Sequence, residues 1–474
     1  MNRRHALQTI SCGFGGLAAS ALAGSGSLPV PGVGGRLNSR MPMLPARAKR
    51  VIFLFMQGGP SHVDTFDWKP ELNRRDGEMA DFFDARKIAN SGMNQASSHR
   101  LMKPRWEFSP YGKSGRMVSG LFPETARHVD DLCFIHSMHT EGIAHGPATL
   151  FLHTGTTNFI RPSMGSWITY GLGSESENLP GFITIGPSIG NGGARNYGSA
   201  FLPPVYQGTP LGRADAPASE AAIRNLPRAE DNPAGLRRRF DFIQAMNEAQ
   251  RAKRPGDAEF EAAIESYELA WRIQSHAPGV TDLSQEDAAT HELYGIREGA
   301  PTEDFGRKCL LARRLCEAGV RFVQVTYGDN TANPAWDQHS NLPKHADHAL
   351  AVDRPVAGLL EDLKRRGLLD DTIVWFGSEF GRTPYAQSNG TGRDHNPKGF
   401  TTWLAGGGFK PGYAHGATDE FGFMAVENKV HMHDLHATIL HQLGLDHEKL
   451  TYRFDGRDFR LTDVHGHVVR ELLV

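Results

Sequence analysis

The chain reads as an α/β protein built on a mostly parallel central sheet, with helices on both faces and a helical insertion. Three observations predict this. Short apolar runs alternate with helical stretches along most of the sequence, the pattern of a parallel-rich sheet. The runs at 51–56 (Val-Ile-Phe-Leu-Phe-Met) and 372–376 (Thr-Ile-Val-Trp-Phe) are apolar almost throughout, as in strands buried on both faces. Both exit into glycine turns that carry polar side chains, and ligands bind at the carboxyl edge of such sheets.

Residues 24–46 are rich in Gly, Pro and Ser and read as a linker, so the folded domain is expected over 47–474. The first strand, 51–56, runs into Gln57-Gly58-Gly59-Pro60, a tight exit. A helix near 123–131, a strand at 132–135 and a helix at 145–153 ended by Thr154-Gly155 follow, then a strand at 182–185. Residues 186–300 read as an insertion. They open with a Gly-, Pro- and Ala-rich stretch and continue with helices near 236–253 and 258–275. The core resumes with a helix at 305–318, a strand at 321–327, a long helix at 345–366 and the strand at 372–376. A strand at 401–404 and a helix at 434–443 close it.

Composition sets limits. With 39% hydrophobic and 22% charged residues the chain is an ordinary globular protein, and its net charge of -2 favours neither nucleic acid nor anionic lipid. Met1-Asn2-Arg3-Arg4-His5 and the Gly/Ala-rich stretch up to Ala23 read as a Tat-type signal peptide over 1–23. The expected location is therefore periplasmic or extracellular, with no transmembrane segment in the mature form. Of four Cys, Cys12 leaves with the signal. Cys309 and Cys316 lie on one helix about 10 Å apart, too far for a disulfide.

Several segments could carry chemistry. Asp337-Gln338-His339 follows a strand, and on an extended segment both ligand types face one side. Asp with His suits Zn, Mn or Fe(II); an Asp that merely caps a turn is the alternative. Glu379 sits just past the strand at 372–376, where it binds metal or orients a ligand. Arg382 either pairs with Glu379 or takes an anionic substrate in a bidentate grip. His395 is the strongest single ligand candidate, and Asp394 is a second ligand or fixes the His tautomer. His145 opens a helix, where backbone N–H groups favour anions. Ser61, His62, Asp64 and Asp67 in the first loop are further candidates, with Asp capping as the alternative. His431, His433 and His436 cannot all face one site and read as mostly structural.

Taken together, Gly58-Gly59-Pro60-Ser61-His62, His145-x-x-Ala148 with Thr154-Gly155, Trp336-Asp337-x-His339, Glu379-Phe380-Gly381-Arg382-Thr383-Pro384 and Gly392-Arg393-Asp394-His395 resemble the domain-of-unknown-function 1501 family of exported bacterial proteins. The resemblance covers nearly all of 47–474, including Asn178-Leu179-Pro180-Gly181-Phe182 and Gly456-Arg457-Asp458-Phe459-Arg460-Leu461. That family is placed with the alkaline phosphatase and sulfatase superfamily, which implies an alkaline-phosphatase-like fold and a hydrolase of phosphate or sulfate esters. The implied cofactor is a divalent metal (Zn, Mn, Fe or Ca), one or two ions. By this resemblance Asp337 matches the first-metal Asp, His339 or Asn341 falls near its His partner, and His395 matches the late His. Glu379 takes the place of the Asp in the usual Asp-His pair.

The departures point to a degenerate site. Gln57 stands where an Asp ligand is expected, Phe380 replaces a His, and His145 occupies the nucleophile slot. The Cys- or Ser-x-Pro-x-Arg sulfatase signature is absent. The expectation is one metal on Asp337, His339 and His395, with His145, Arg382 and Glu379 catalytic and Ser61, His62 and Asp394 binding substrate, an anionic ester or sulfated glycan. The alternative is a non-catalytic protein that binds a glycan or an envelope partner through the same pocket.

Overall fold

The computed structural model describes residues 39–83, 96–220, 232–254, 257–387 and 390–474. The expected signal peptide lies outside the described residues. One sheet of nine strands organises the body. In chain order these are β1 (Arg50–Met56), β2 (Leu132–His139), β3 (Phe182–Ile185), β4 (Thr209–Leu211), β5 (Phe322–Tyr327), β6 (Thr372–Gly377), β7 (Phe400–Ala405), β8 (Tyr413–His415) and β9 (Val430–His431). Their spatial order is β8-β2-β7-β6-β1-β5-β3-β4, with β9 also paired to β2. Only β7 runs antiparallel to its neighbours.

Every residue of β1 and β6 is buried. Successive side chains point to opposite faces, so both faces are covered at the sheet's centre. This is why those runs lack alternation. Across the β1–β6 pair Phe53 stacks on Trp375 at 3.9 Å between centroids. The main helices are α1 (His145–Thr154), α2 (Met164–Leu172), α3 (Pro233–Arg251), α4 (Ala258–Thr281), α5 (Glu303–Glu317), α6 (His345–Arg365) and α7 (Met432–Gln442). Among the described residues no helix is long and apolar enough to cross a membrane.

Two expectations about organisation change. Residues 39–46 are not a free linker. The Arg40 guanidinium donates to the Tyr170 carbonyl and the Tyr206 hydroxyl, and the Leu44 amide donates to the Gly444 carbonyl. Nor is 186–300 wholly an insertion, because β4 extends the main sheet as its edge, in register with β3. Pro210 breaks the apolar pattern of this strand, and an edge strand tolerates it. Only α3 and α4 form a helical hairpin, with Phe240 stacked on Trp271, while Leu269 and Ile273 of α4 join the main core.

The hairpin Gly381–Ala386 with Arg393–Asn396 is the main element that the sequence reading leaves as loop. It leaves the sheet after β6 and returns the chain to the same edge. β7 therefore enters antiparallel, and both ends of the hairpin stay beside the carboxyl ends of β1, β5 and β6.

Candidate metal centre

Three segments deliver four side chains to one point beyond this edge. His145 is the first residue of α1, which follows β2. Asp337 and His339 come from the loop after β5, and His395 from the hairpin after β6. One ligand atom from each lies within 4.8 Å of all the others. Asp337 Oδ1 is 3.2 Å from His145 Nε2, 2.9 Å from His339 Nε2 and 3.2 Å from His395 Nε2. The Nε2 atoms of His339 and His395 are 2.9 Å apart.

The partners of the other ring nitrogens decide what this means. His145 Nδ1 donates to Glu379 Oε1 at 2.6 Å, His395 Nδ1 to the Ile143 carbonyl at 2.7 Å and His339 Nδ1 to Gln387 Oε1 at 2.5 Å. Each acceptor is an oxygen without a proton, so each Nδ1 carries the hydrogen. All three Nε2 lone pairs then face one another and a carboxylate, which repel unless a cation lies among them. His145 Nε2 is buried without a hydrogen-bond partner. Donors around a tetrahedral zinc are about 3.3 Å apart, close to the spacings here. The residues fit a divalent ion.

Electrostatics agree. Burial opposes the charge on Asp337, but its close contacts with the three imidazoles and with the Arg382 guanidinium outweigh it and hold the carboxyl well below its ordinary range. Burial pushes His395 down to about 4, which keeps it neutral and ready to ligate. Burial opposes charge on His145 too, yet its contacts with Asp337 and Glu379 raise its pKa. Protons and metal therefore compete at His145. The Asp337 side chain is 1% exposed and that of His339 25%, so the cluster opens to solvent on the His339 side.

Several sequence assignments change role. Glu379 is completely buried behind His145. It accepts from the Gly58 amide and from Ser378 Oγ, so it positions the imidazole rather than touching a substrate. Arg382 is also fully buried. It donates to Asp337 Oδ1 at 2.6 Å and to the carbonyls of Gly58, Gly59 and Arg393, so it anchors Asp337 and does not reach out to an anion. His145 has both ring nitrogens directed into the scaffold and the cluster, which suits a ligand and not an acid–base group or nucleophile.

Ser61 and His62 face away from the cluster. Ser61 Oγ donates to Asp64 Oδ2, and His62 Nε2 donates to the Gly422 carbonyl. Both are buried because the loop after β1 folds inward as a short helix, His62–Thr65. Asp64 pairs with a fully buried Arg393 at 2.6 Å, and Asp67 pairs with Lys69. Asp394 stands half-buried on the rim, 3.7 Å from His339 Nδ1. Sequence reasoning misses Gln387 and the Ile143 carbonyl. No residue type announces a backbone carbonyl, and Gln387 lies just past a strand that reads as loop.

No curated protein matches the chain significantly. The lipoteichoic acid synthase LtaP of Listeria monocytogenes is 8% identical with a TM-score of 0.36, over 88% of this chain and 75% of that one. The PsFucS1 sulfatase of Pseudoalteromonas sp. is 11% identical with a TM-score of 0.33, over 85% and 69%. An alkaline phosphatase superfamily protein of Vibrio parahaemolyticus is 8% identical with a TM-score of 0.33, over 86% and 69%. Likeness at these scores transfers neither substrate nor ligand set. The family model described as "Protein of unknown function (DUF1501)" matches residues 48–473, and the chain belongs to that family.

Proposed function

We propose that the chain is an exported, metal-dependent hydrolase of phosphate or sulfate esters working with one divalent ion on His145, Asp337, His339 and His395. The observation that carries this reading is the convergence of three Nε2 atoms on Asp337 Oδ1 while each Nδ1 is pinned to an oxygen. Three nitrogens and one oxygen, with no thiolate, favour Zn over Mg and Ca, which take six or more oxygens. Bound there, the ion supplies Lewis acidity toward an ester oxygen and lowers the pKa of a bound water.

The chain's own residues prepare the site. Glu379 sets the His145 tautomer, and Arg382 holds the Asp337 carboxylate in place. The start of α1, at His145, brings the positive end of a helix to the cluster, which favours an anionic ester. His339 borders the open side, where such an ester enters. The Arg3-Arg4 start supports export through the Tat pathway.

The completeness of the cage favours a second reading. Four protein donors fill a tetrahedral set, and Arg382 and Glu379 are engaged by the scaffold, the pattern of a structural ion. The chain would then be a non-catalytic protein that binds a glycan or an envelope partner. Zinc-loaded protein assayed on phosphate and sulfate monoesters, beside His395→Ala, separates the two. Zinc-dependent cleavage lost in the variant supports the hydrolase. A folded protein that keeps one zinc and cleaves none of them supports the binding protein.

A further inference from the structure

α3 has two long faces, and α4 covers only one of them. Leu236, Phe240, Gln244 and Asn247 recur at helical spacing and are half-buried. On this side Phe240 stacks on Trp271, and Gln244 Nε2 donates to Glu268 Oε1 at 2.9 Å. Half a turn round the helix, Arg238, Phe242, Ala245 and Ala249 recur at the same spacing, with Arg239 and Met246 beside them. Phe242 is 67% exposed, Met246 53% and Ile243 40%, and both alanines are exposed. Apolar side chains scattered singly on a surface are ordinary, but a contiguous stripe of them marks an interaction site.

The charges around the stripe are unequal. Residues 233–254 include six basic side chains and two acidic ones. Both acids are already paired on the flank, Asp241 with Arg237 and Glu248 with Arg251, each at 2.9 Å. Arg238 and Arg239 before the stripe and Lys253 after it are exposed, and among the described residues none of the three is in an ion pair. The acids of α4 do not offset them. Glu268 is engaged with Gln244 at the seam, Glu261 is half-buried, and half-buried Glu265 acts on Tyr206 of the body.

This pattern selects the occupant. A second copy of the chain is opposed by like charge. Laid antiparallel about Phe242 and Met246, two such helices set the arginines at 238 and 239 against the turn with Arg251 and Lys253. Laid parallel, they set the arginine runs side by side. A bilayer with anionic headgroups meets both features at once. An interfacial helix sinks its apolar face to the acyl boundary and keeps its cations among the headgroups. Long Arg and Lys stems reach those headgroups from either end of the stripe, about 22 Å apart along the helix. The whole-chain charge of -2 does not speak against this, because the surplus is local and screening confines it to about 8–10 Å.

We propose that α3 docks the chain on an anionic membrane surface. The helix lies flat, with Phe242 and Met246 in the interface and Arg238, Arg239 and Lys253 on lipid phosphates. The metal ligands come from other segments, so docking holds whether or not the chain cleaves esters.

Sedimentation of the full chain with vesicles tests this, phosphatidylcholine alone against equal parts of phosphatidylcholine and phosphatidylglycerol, in low and high salt. The chain sediments with the anionic vesicles only, and high salt releases part of it. Phe242→Ser/Met246→Ser and Arg238→Gln/Arg239→Gln each weaken that binding at least about tenfold. All four side chains are on the uncovered face, so both variants keep the fold, which circular dichroism checks. A chain that ignores anionic vesicles overturns the proposal. Binding that either variant retains in full also overturns it, because both the stripe and its cations are required; retention in both places the affinity in residues 1–23. A dimer in light scattering that Phe242→Ser/Met246→Ser dissolves overturns it in favour of a second copy.

Discussion

Glu379→Gln probes the centre without touching it. Glu379 accepts His145 Nδ1 at 2.6 Å, the Gly58 amide at 3.0 and 3.2 Å and Ser378 Oγ at 2.7 Å. Every partner is a donor. Glutamine has the same shape but turns one oxygen into an NH2 group. With its remaining oxygen on His145, the NH2 group faces Ser378 and the Gly58 N–H. Ser378 can rotate to accept, while the Gly58 amide keeps its 3.0 Å bond to the oxygen shared with His145 but meets an N–H where its 3.2 Å acceptor stood. His145 thereby exchanges a carboxylate for a neutral amide acceptor, and mutating an outer partner of a metal-bound His typically costs 10–100-fold in metal affinity, about 1.4–2.7 kcal/mol. The mismatched buried amide adds about 1–3 kcal/mol of lost stability. Competition with a chromophoric chelator reads the first quantity, and urea unfolding of metal-free protein reads the second. A zinc Kd within twofold of wild type, at unchanged stability, would refute the role given to Glu379.

Other substitutions and conditions follow from the same geometry. Asp64→Asn leaves the Arg393 guanidinium buried without its carboxylate, so urea unfolding should show a loss of about 3–5 kcal/mol. Asp337→Asn does the same to Arg382 and also replaces the shared anionic ligand by a neutral amide, a far weaker donor to a cation; elemental analysis should find the metal gone. Burial holds His153 and His436 at about 4 and His345 at about 3, all below the unfolded 6.5. The unfolded chain binds more protons between pH 6.5 and 4, so stability falls on acidification through that window, by about 1.4 kcal/mol per pH unit for each imidazole. Urea midpoints that do not drop between pH 7 and 4.5 would contradict this. Zinc affinity should fall over the same range, because protons compete at His145.

The legible parts of the fold were those in which one local rule decides. β1 and β6 announce themselves because strands covered on both faces are apolar almost throughout, and β5 is still legible although it buries Gln324 and Thr326. β3 matches its sequence reading, while β2 runs on to His139 through Ser137 and His136, beyond the apolar run. β4 is obscured by Pro210, which only an edge position permits. The hairpin Gly381–Ala386 with Arg393–Asn396 is rich in charge because its arginines are core: Arg382 and Arg393 are both fully buried against carboxylates and carbonyls. A sequence shows an arginine but not its depth.

The same limit applies to the site. Asp337, His339 and His395 stand out as ligand types after strand ends, and the structure brings them together. His145 was visible but assigned another role, because its commitment to Glu379 on one side and the cluster on the other is a matter of three-dimensional distance. Ser61 and His62 looked available because they follow a Gly-Gly-Pro exit. The loop instead turns inward to build the buried pair of Asp64 and Arg393.

Zinc-edge X-ray absorption on full-length protein, with metal stoichiometry taken on the same sample, addresses the central claim most directly. One zinc per chain, a shell of nitrogen and oxygen at about 2.0–2.1 Å with imidazole scattering and no sulfur, and loss of the metal in His395→Ala are expected. A folded wild-type chain that takes up no divalent ion, or a His395→Ala chain that keeps its zinc with an unchanged spectrum, would contradict the account.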